Sequence, residues 1–177
     1  SKVYGDSDPA LTYQITSGTI VTGDLPSGAL NRDAGEDVGT YPINKNSLTY
    51  GANYNETYVG ANLTINEAAL TITADDKSKT YDGSVYSPFT VSYSGFVNGD
   101  DAGDLGGTLT FAGTATTAIN AGTDYVITPS GLTSSNYDIT FVDGTLDINQ
   151  RPITITADAK SKVYGDSDPA LTYQITS

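Results

Sequence analysis

The sequence has no cysteine, histidine or tryptophan, and basic residues are few. Without cysteine there is no disulfide framework and no thiolate metal site. Without histidine there is no common general base, no imidazole ligand and no Ser–His dyad. Eight Lys and Arg face 21 Asp and Glu, a formal charge of −13. Phosphate recognition needs clustered cations that release counterions, so a nucleic-acid surface is excluded, and docking on anionic lipid is disfavoured. No apolar run approaches the roughly 18–20 residues of a membrane span, so membrane insertion is not expected.

What the chain has instead is glycine (19 residues), tyrosine (13 residues) and repetition. Residues 161–177, SKVYGDSDPALTYQITS, repeat residues 1–17 without change, 160 positions later. A weaker copy lies between them. ADDKSKTY at 74–81 corresponds to ADAKSKVY at 157–164, and the same shift of 83 relates Asn53-Tyr54 to Asn136-Tyr137 and Leu63-Thr64-Ile65 to Leu146-Asp147-Ile148. It also relates Leu70-Thr71-Ile72-Thr73-Ala74-Asp75 to Ile153-Thr154-Ile155-Thr156-Ala157-Asp158. Self-similarity at such periods marks a tandem array of diverged repeats.

Within a repeat, LTITAD, LTYQIT, TYPI, NLTI, FTVSY, TLTF, DYVI, YDITFV and TLDI alternate Thr or Tyr with Leu, Ile, Val or Phe. This period-2 pattern predicts half-buried strands of β-branched and aromatic residues. Gly5-Asp6, Asp8-Pro9, Gly23-Asp24, Asp82-Gly83, Asn98-Gly99 and Asp143-Gly144 are turn signals between them. No window carries a helical stripe, although residues 24–30 or 100–105 could hold one short helical turn. The expected fold is all-β: tandem small β-sandwich-like domains in a rod, or, as the alternative, β-grasp-like domains with one short helical turn. The expected divisions are residues 1–66, 67–149 and 150–177, the last being the start of a third repeat. The three-residue junctions Asn66-Glu67-Ala68 and Asn149-Gln150-Arg151 leave no flexible linker.

The opening K-x-Y-G-D-x-D-P-A-L-T-Y at residues 2–13 resembles the MBG family, the mostly-beta, glycine-rich repeats of bacterial surface adhesins. So do the G-x-x-V-x-G-D turn at 18–24, the A-G-E-x-V-G-x-Y block at 34–41, and N-Y followed by L-T-I. The second repeat resembles the YDG variant at Lys79-Thr80-Tyr81-Asp82-Gly83, and keeps Gly95-Phe96-Val97-Asn98-Gly99-Asp100, Ala121-Gly122-Thr123 and Asn136-Tyr137. The resemblance implies tandem repeats in a large bacterial surface protein, extracellular and usually in the stalk. It implies no catalytic residue and no shared ligand. The stalk holds a distal binding domain away from the cell, while the alternative is a glycan- or protein-binding module that acts by multivalency.

Tyr4, Tyr81 and Tyr164 sit at the centre of the three copies and read as core rings whose hydroxyls satisfy turns. Lys2, Lys79 and Lys162 recur in register and read as exposed strand-flanking lysines that discourage edge pairing. Asp6-Ser7-Asp8, Glu36-Asp37, Asp75-Asp76 and residues 98–104 offer oxygen ligands of the type Ca²⁺ takes, and acidic turn residues have backbone reasons of their own. No catalytic, cofactor-binding or metal residue is assigned, and the chain is not expected to be an enzyme. The first repeat shows no counterpart of the LTITAD strand, whereas residues 153–158 supply one. The expectation is that residues 151–177 of one molecule complete the first repeat of a neighbour, head to tail, beside the ordinary contacts with neighbouring repeats.

Overall fold

The computed structural model describes residues 1–176; Ser177, the last residue of the recurring 17-residue segment, lies outside them. The chain is all-β, with thirteen strands among the described residues: β1 (Lys2–Val3), β2 (Asn31–Arg32), β3 (Gly39–Asn44), β4 (Ala61–Asn66), β5 (Ala68–Ala74), β6 (Lys77–Thr80), β7 (Val91–Ser94), β8 (Gly106–Ala112), β9 (Gly122–Thr133), β10 (Tyr137–Val142), β11 (Gly144–Asn149), β12 (Thr154–Ala157) and β13 (Tyr173–Thr176). Single 3-10 turns occupy Ala102–Asp104 and Thr114–Thr117. The first falls in one of the two windows expected to turn; Asp101 caps it by accepting from the Gly103 N–H, and Asp104 reciprocates onto the Asp101 N–H. The other window, 24–30, holds no helical turn, because Ser27 bridges instead to Thr49.

The strands form curled sheets in the orders β1-β4-β3-β2, β10-β5-β7, β6-β11-β9-β8 and β12-β13. Parallel pairs recur at equivalent places. Lys2 lies opposite Ile65 in the pair β1/β4, and Lys79 lies opposite Ile148 in the pair β6/β11. The repetition in sequence is therefore a repetition of register.

By contact the chain divides into two compact units, Ser1–Thr73 with Val91–Thr110 and Pro129–Val142, and Ala74–Thr90 with Phe111–Thr128 and Asp143–Ser177. In the first, β5 alternates buried and open positions, and its Leu70 and Ile72 join Tyr4, Ile65, Ala68 and Tyr137 in the core. Val91, Tyr93, Phe96, Ile139 and Phe141 pack around them. In the second, Ala74, Ala115, Ala118, Ile127, Leu146 and Ile148 form the core, flanked by Tyr86, Phe89, Phe111 and Tyr125. Strict alternation along β5 and β11 is what lets short Thr-rich strands bury one face and leave hydroxyls on the other.

One expected strand is missing. LTYQIT at residues 11–16 carries no strand, while the identical LTYQIT at 171–176 contains β13, paired antiparallel with β12. The six residues are the same, so the difference lies in the partner: Ile155 of β12 stands opposite Ile175, and among the described residues no strand stands opposite Ile15. A strand's conformation is held by cross-strand pairs and ladder hydrogen bonds, not by intrinsic preference alone.

Candidate functional site: a junction built from the repeat motifs

Four motif segments far apart in sequence meet inside the first compact unit. From the first repeat come Tyr4-Gly5 and the Glu36-Asp37-Val38 block; from the second come residues 95–100 and Asn136-Tyr137. The Tyr4 and Tyr137 rings meet edge to face, with centroids 5.4 Å apart and planes at 81°. Both hydroxyls donate to Asp100 Oδ2, at 2.9 Å from Tyr4 and 2.7 Å from Tyr137, and Tyr137 also accepts from the Val97 N–H at 3.0 Å. Phe96 meets the Tyr137 ring at 5.6 Å and 89°. On the other side Asn136 donates through Nδ2 to Asp37 Oδ1 (2.9 Å) and accepts from the Val38 N–H (3.0 Å). Its carbonyl accepts from the Ala68 N–H at the start of β5. Edge-to-face rings and charge-assisted hydrogen bonds together give a directional contact. Burial is the main reason the Tyr137 hydroxyl is held above its ordinary pKa.

Gly5 closes the contact. Its φ is +88°, and a Cβ there would lie 2.5 Å from Val97 Cγ2. The identical Gly165 has φ +89° with nothing within 4 Å. Alanine at position 165 should cost about 1 kcal/mol for the left-handed backbone alone, whereas Gly5→Ala should cost about 2–4 kcal/mol because Val97 must also shift. Urea midpoints of the two variants measure the difference, and equal losses would mean that Val97 moves freely.

Sequence reasoning placed only one of the three motif tyrosines where the structure has it. Tyr4 is 8% exposed, but Tyr81 is 39% and Tyr164 fully exposed. The reason is cover: Asp100, Phe96 and Tyr137 close over Tyr4 and its neighbours, and no described residue does so for Tyr164.

Two of the three lysines, Lys2 and Lys79, also differ from expectation, while Lys162 is exposed as expected. The Lys2 side chain is only 4% exposed; it pairs with Asp8 at 2.9 Å and with Glu36, and donates to the Asp6 carbonyl at 3.0 Å. Arg32 pairs with the same two acids, at 2.6 Å to Asp8, and lies over the Tyr41 ring at 5.3 Å. Lys162 repeats part of this pattern, with Asp168 at 2.6 Å and the Asp166 carbonyl at 3.3 Å, while Lys79 takes Asp82 and the Ser84 carbonyl. The lysine thus ties down its own turn, and in the first repeat it also reaches across 34 residues to Glu36.

The Arg32 and Lys2 hydrogen bonds hold the Asp8 carboxyl down at about 2, and Lys2 and Arg32 likewise lower Glu36. Because the folded carboxyls bind protons more weakly than the unfolded ones, acid favours unfolding. Stability should be level above pH of about 5 and fall as pH drops from about 4 toward 2. Urea midpoints across pH should show this, and Arg32→Gln should flatten the slope.

The acids that could be ligands for Ca²⁺ are engaged with the protein. Asp8 and Glu36 meet cations, Asp37 meets Asn136, Asp76 accepts from the Thr145 N–H and hydroxyl, and Asp100 accepts from two tyrosines. Among the described residues no three acids gather into a set able to hold a metal ion.

The residues that converge at this junction are those that carry the family pattern. The MBG domain model of YGX type matches residues 1–64, 70–147 and 153–177. The chain belongs to the MBG domain family. The YGX-type match includes the second repeat, although that repeat reads Tyr81-Asp82-Gly83. MBG repeats are repeat domains of surface proteins. No helix among the described residues is long and apolar enough to cross a membrane. No curated protein and no solved structure matches the chain.

Proposed function

We propose that this MBG chain is a segment of an extracellular stalk, a run of repeats that spaces a distal binding domain from a bacterial cell surface. The supporting observation is where the motif residues go: Tyr4, Gly5, Asp37, Asp100, Asn136 and Tyr137 join one repeat to the next. A contact with a directional hydrogen-bond set, and no linker beyond Glu67 between β4 and β5, resists bending better than a flexible tether. Repetition then gains length with each unit needing only its neighbours. The acidic surface keeps such an array soluble and self-repelling.

The test is small-angle scattering on chains extended by further 160-residue units. The maximum dimension should grow by an equal step per unit. A dimension that stays constant as units are added would overturn the stalk reading.

A further inference from the structure

The strands that open the second repeat pair in parallel with those that close it. β5 and β6 come first in the repeat and β10 and β11 last, with β5 beside β10 and β6 beside β11. Six register pairs join β5 to β10, from Ala68 opposite Tyr137 to Thr73 opposite Val142. Four join β6 to β11, from Lys77 opposite Leu146 to Thr80 opposite Asn149. Partners stand 69 positions apart in both ladders. At the same offset, Asp76 accepts from the N–H and the hydroxyl of Thr145. Each ladder also has a further rung at one end: the Ala68 N–H donates to the Asn136 carbonyl at 3.0 Å, and the Tyr81 N–H to the Asn149 carbonyl at 2.8 Å. The pair β1/β4 is parallel too, and there the Tyr4 N–H donates to the Asn66 carbonyl at 2.8 Å.

This pairing decides how a pull along the chain is borne. Tension reaches β5 at Ala68, its first residue, and leaves β11 at Asn149, its last. Because partners run in the same direction, in each ladder the two strands are drawn lengthwise past each other. A parallel ladder has evenly spaced, slanted hydrogen bonds. Under such a load they stretch together and must fail together. Two strands pulled apart from the same end behave otherwise, since the end bond takes the whole load and the rest follow one by one. β5 is also shielded from the water that would replace a strained bond. Its Ala68, Leu70 and Ile72 are buried, and β7 covers its other edge.

We propose that the ladders β5/β10 and β6/β11 are a mechanical clamp, which holds the second repeat closed against tension applied along the chain. The load itself rests on the stalk reading, since a spacer between a cell and whatever its distal domain binds is pulled at its two ends. The clamp is a property of the ladders. Resistance of this kind is governed by the rate of forced unfolding and not by equilibrium stability.

The experiment is single-molecule stretching of the full chain through DNA handles on paired cysteines, whose positions are unique because the chain has none of its own. Glu67→Cys with Val142→Cys pulls β5 and β10 from opposite ends, and Glu67→Cys with Ser135→Cys pulls them from the same end. All three residues are exposed, so urea midpoints of the variants should match that of the unaltered chain. The first pair should rupture at several times the force of the second, in one step that frees about 250 Å of chain. Glu67→Cys with Gln150→Cys loads both ladders and should rupture at a force no lower than the first pair. Equal forces in the first two geometries, or rupture of the third at the low force, overturns the clamp and leaves the stalk reading standing. Scattering dimensions that fail to grow with added units overturn the stalk, and a high rupture force would still show the clamp.

Discussion

Replacing Ile72 with alanine should lower the stability of the first compact unit by about 2–4 kcal/mol. Ile72 is fully buried at the middle of β5, with Phe141 of β10 directly opposite it and β7 on the other side. Deleting three carbons there removes their transfer free energy and leaves a void that two hydrogen-bonded neighbours prevent from collapsing. A loss of that size is a large part of the roughly 5–15 kcal/mol that a domain has. The same substitution at Ile155, the matching position of β12, should change stability by less than about 0.5 kcal/mol in dilute solution, because that side chain is 62% exposed. Amide exchange of β5 and β12 in the two variants separates the effects. Equal losses at the two positions would mean that Ile155 is buried in solution.

The contrast shows how far the sequence could be read. The alternation in LTITAD, YDITFV and TLDI marks β5, β10 and β11, because a strand with one buried face imposes period 2 on its own residues. The same alternation in LTYQIT marks β13 but misplaces residues 11–16, since pairing depends on a partner that the six residues do not encode. Tyr4 reads correctly as a core ring, yet its identical copy Tyr164 is bare, for the cover comes from residues about a hundred positions away. Lys2 is the clearest miss. A lysine beside a strand ordinarily faces water, and its burial rests on Glu36 and Asp8 arriving with Arg32, a contact in space without a local signal. The convergence of residues 2–6, 34–41, 95–100 and 136–137 was legible only as a list of motifs. That they are one junction needed the fold.

That junction should fail most sharply at Asp100. Its Oδ2 accepts from two tyrosine hydroxyls, and neither Tyr4 nor Tyr137 is more than 8% exposed. A hydrogen bond to a charged acceptor contributes about 1.5–3 kcal/mol, and a buried donor left without one adds its desolvation cost. Asp100→Ala should therefore cost about 3–5 kcal/mol, less than two independent bonds would sum to, since the Tyr137 hydroxyl still has the Val97 carbonyl as an acceptor at 3.3 Å. Tyr4→Phe should cost about 1–2 kcal/mol, because the ring stays against Tyr137 and only the hydroxyl is lost. In the Asp100→Ala background the same Tyr4→Phe change should be close to neutral, for the hydroxyl then has no acceptor to lose. A double-mutant cycle reads this directly as a coupling energy of about 1–2 kcal/mol between positions 4 and 100, measured by urea unfolding. Coupling near zero would mean that Tyr4 joins the second repeat through ring packing alone, and the directional contact invoked for a stiff array would rest on Asn136 with Asp37 and Val38 only.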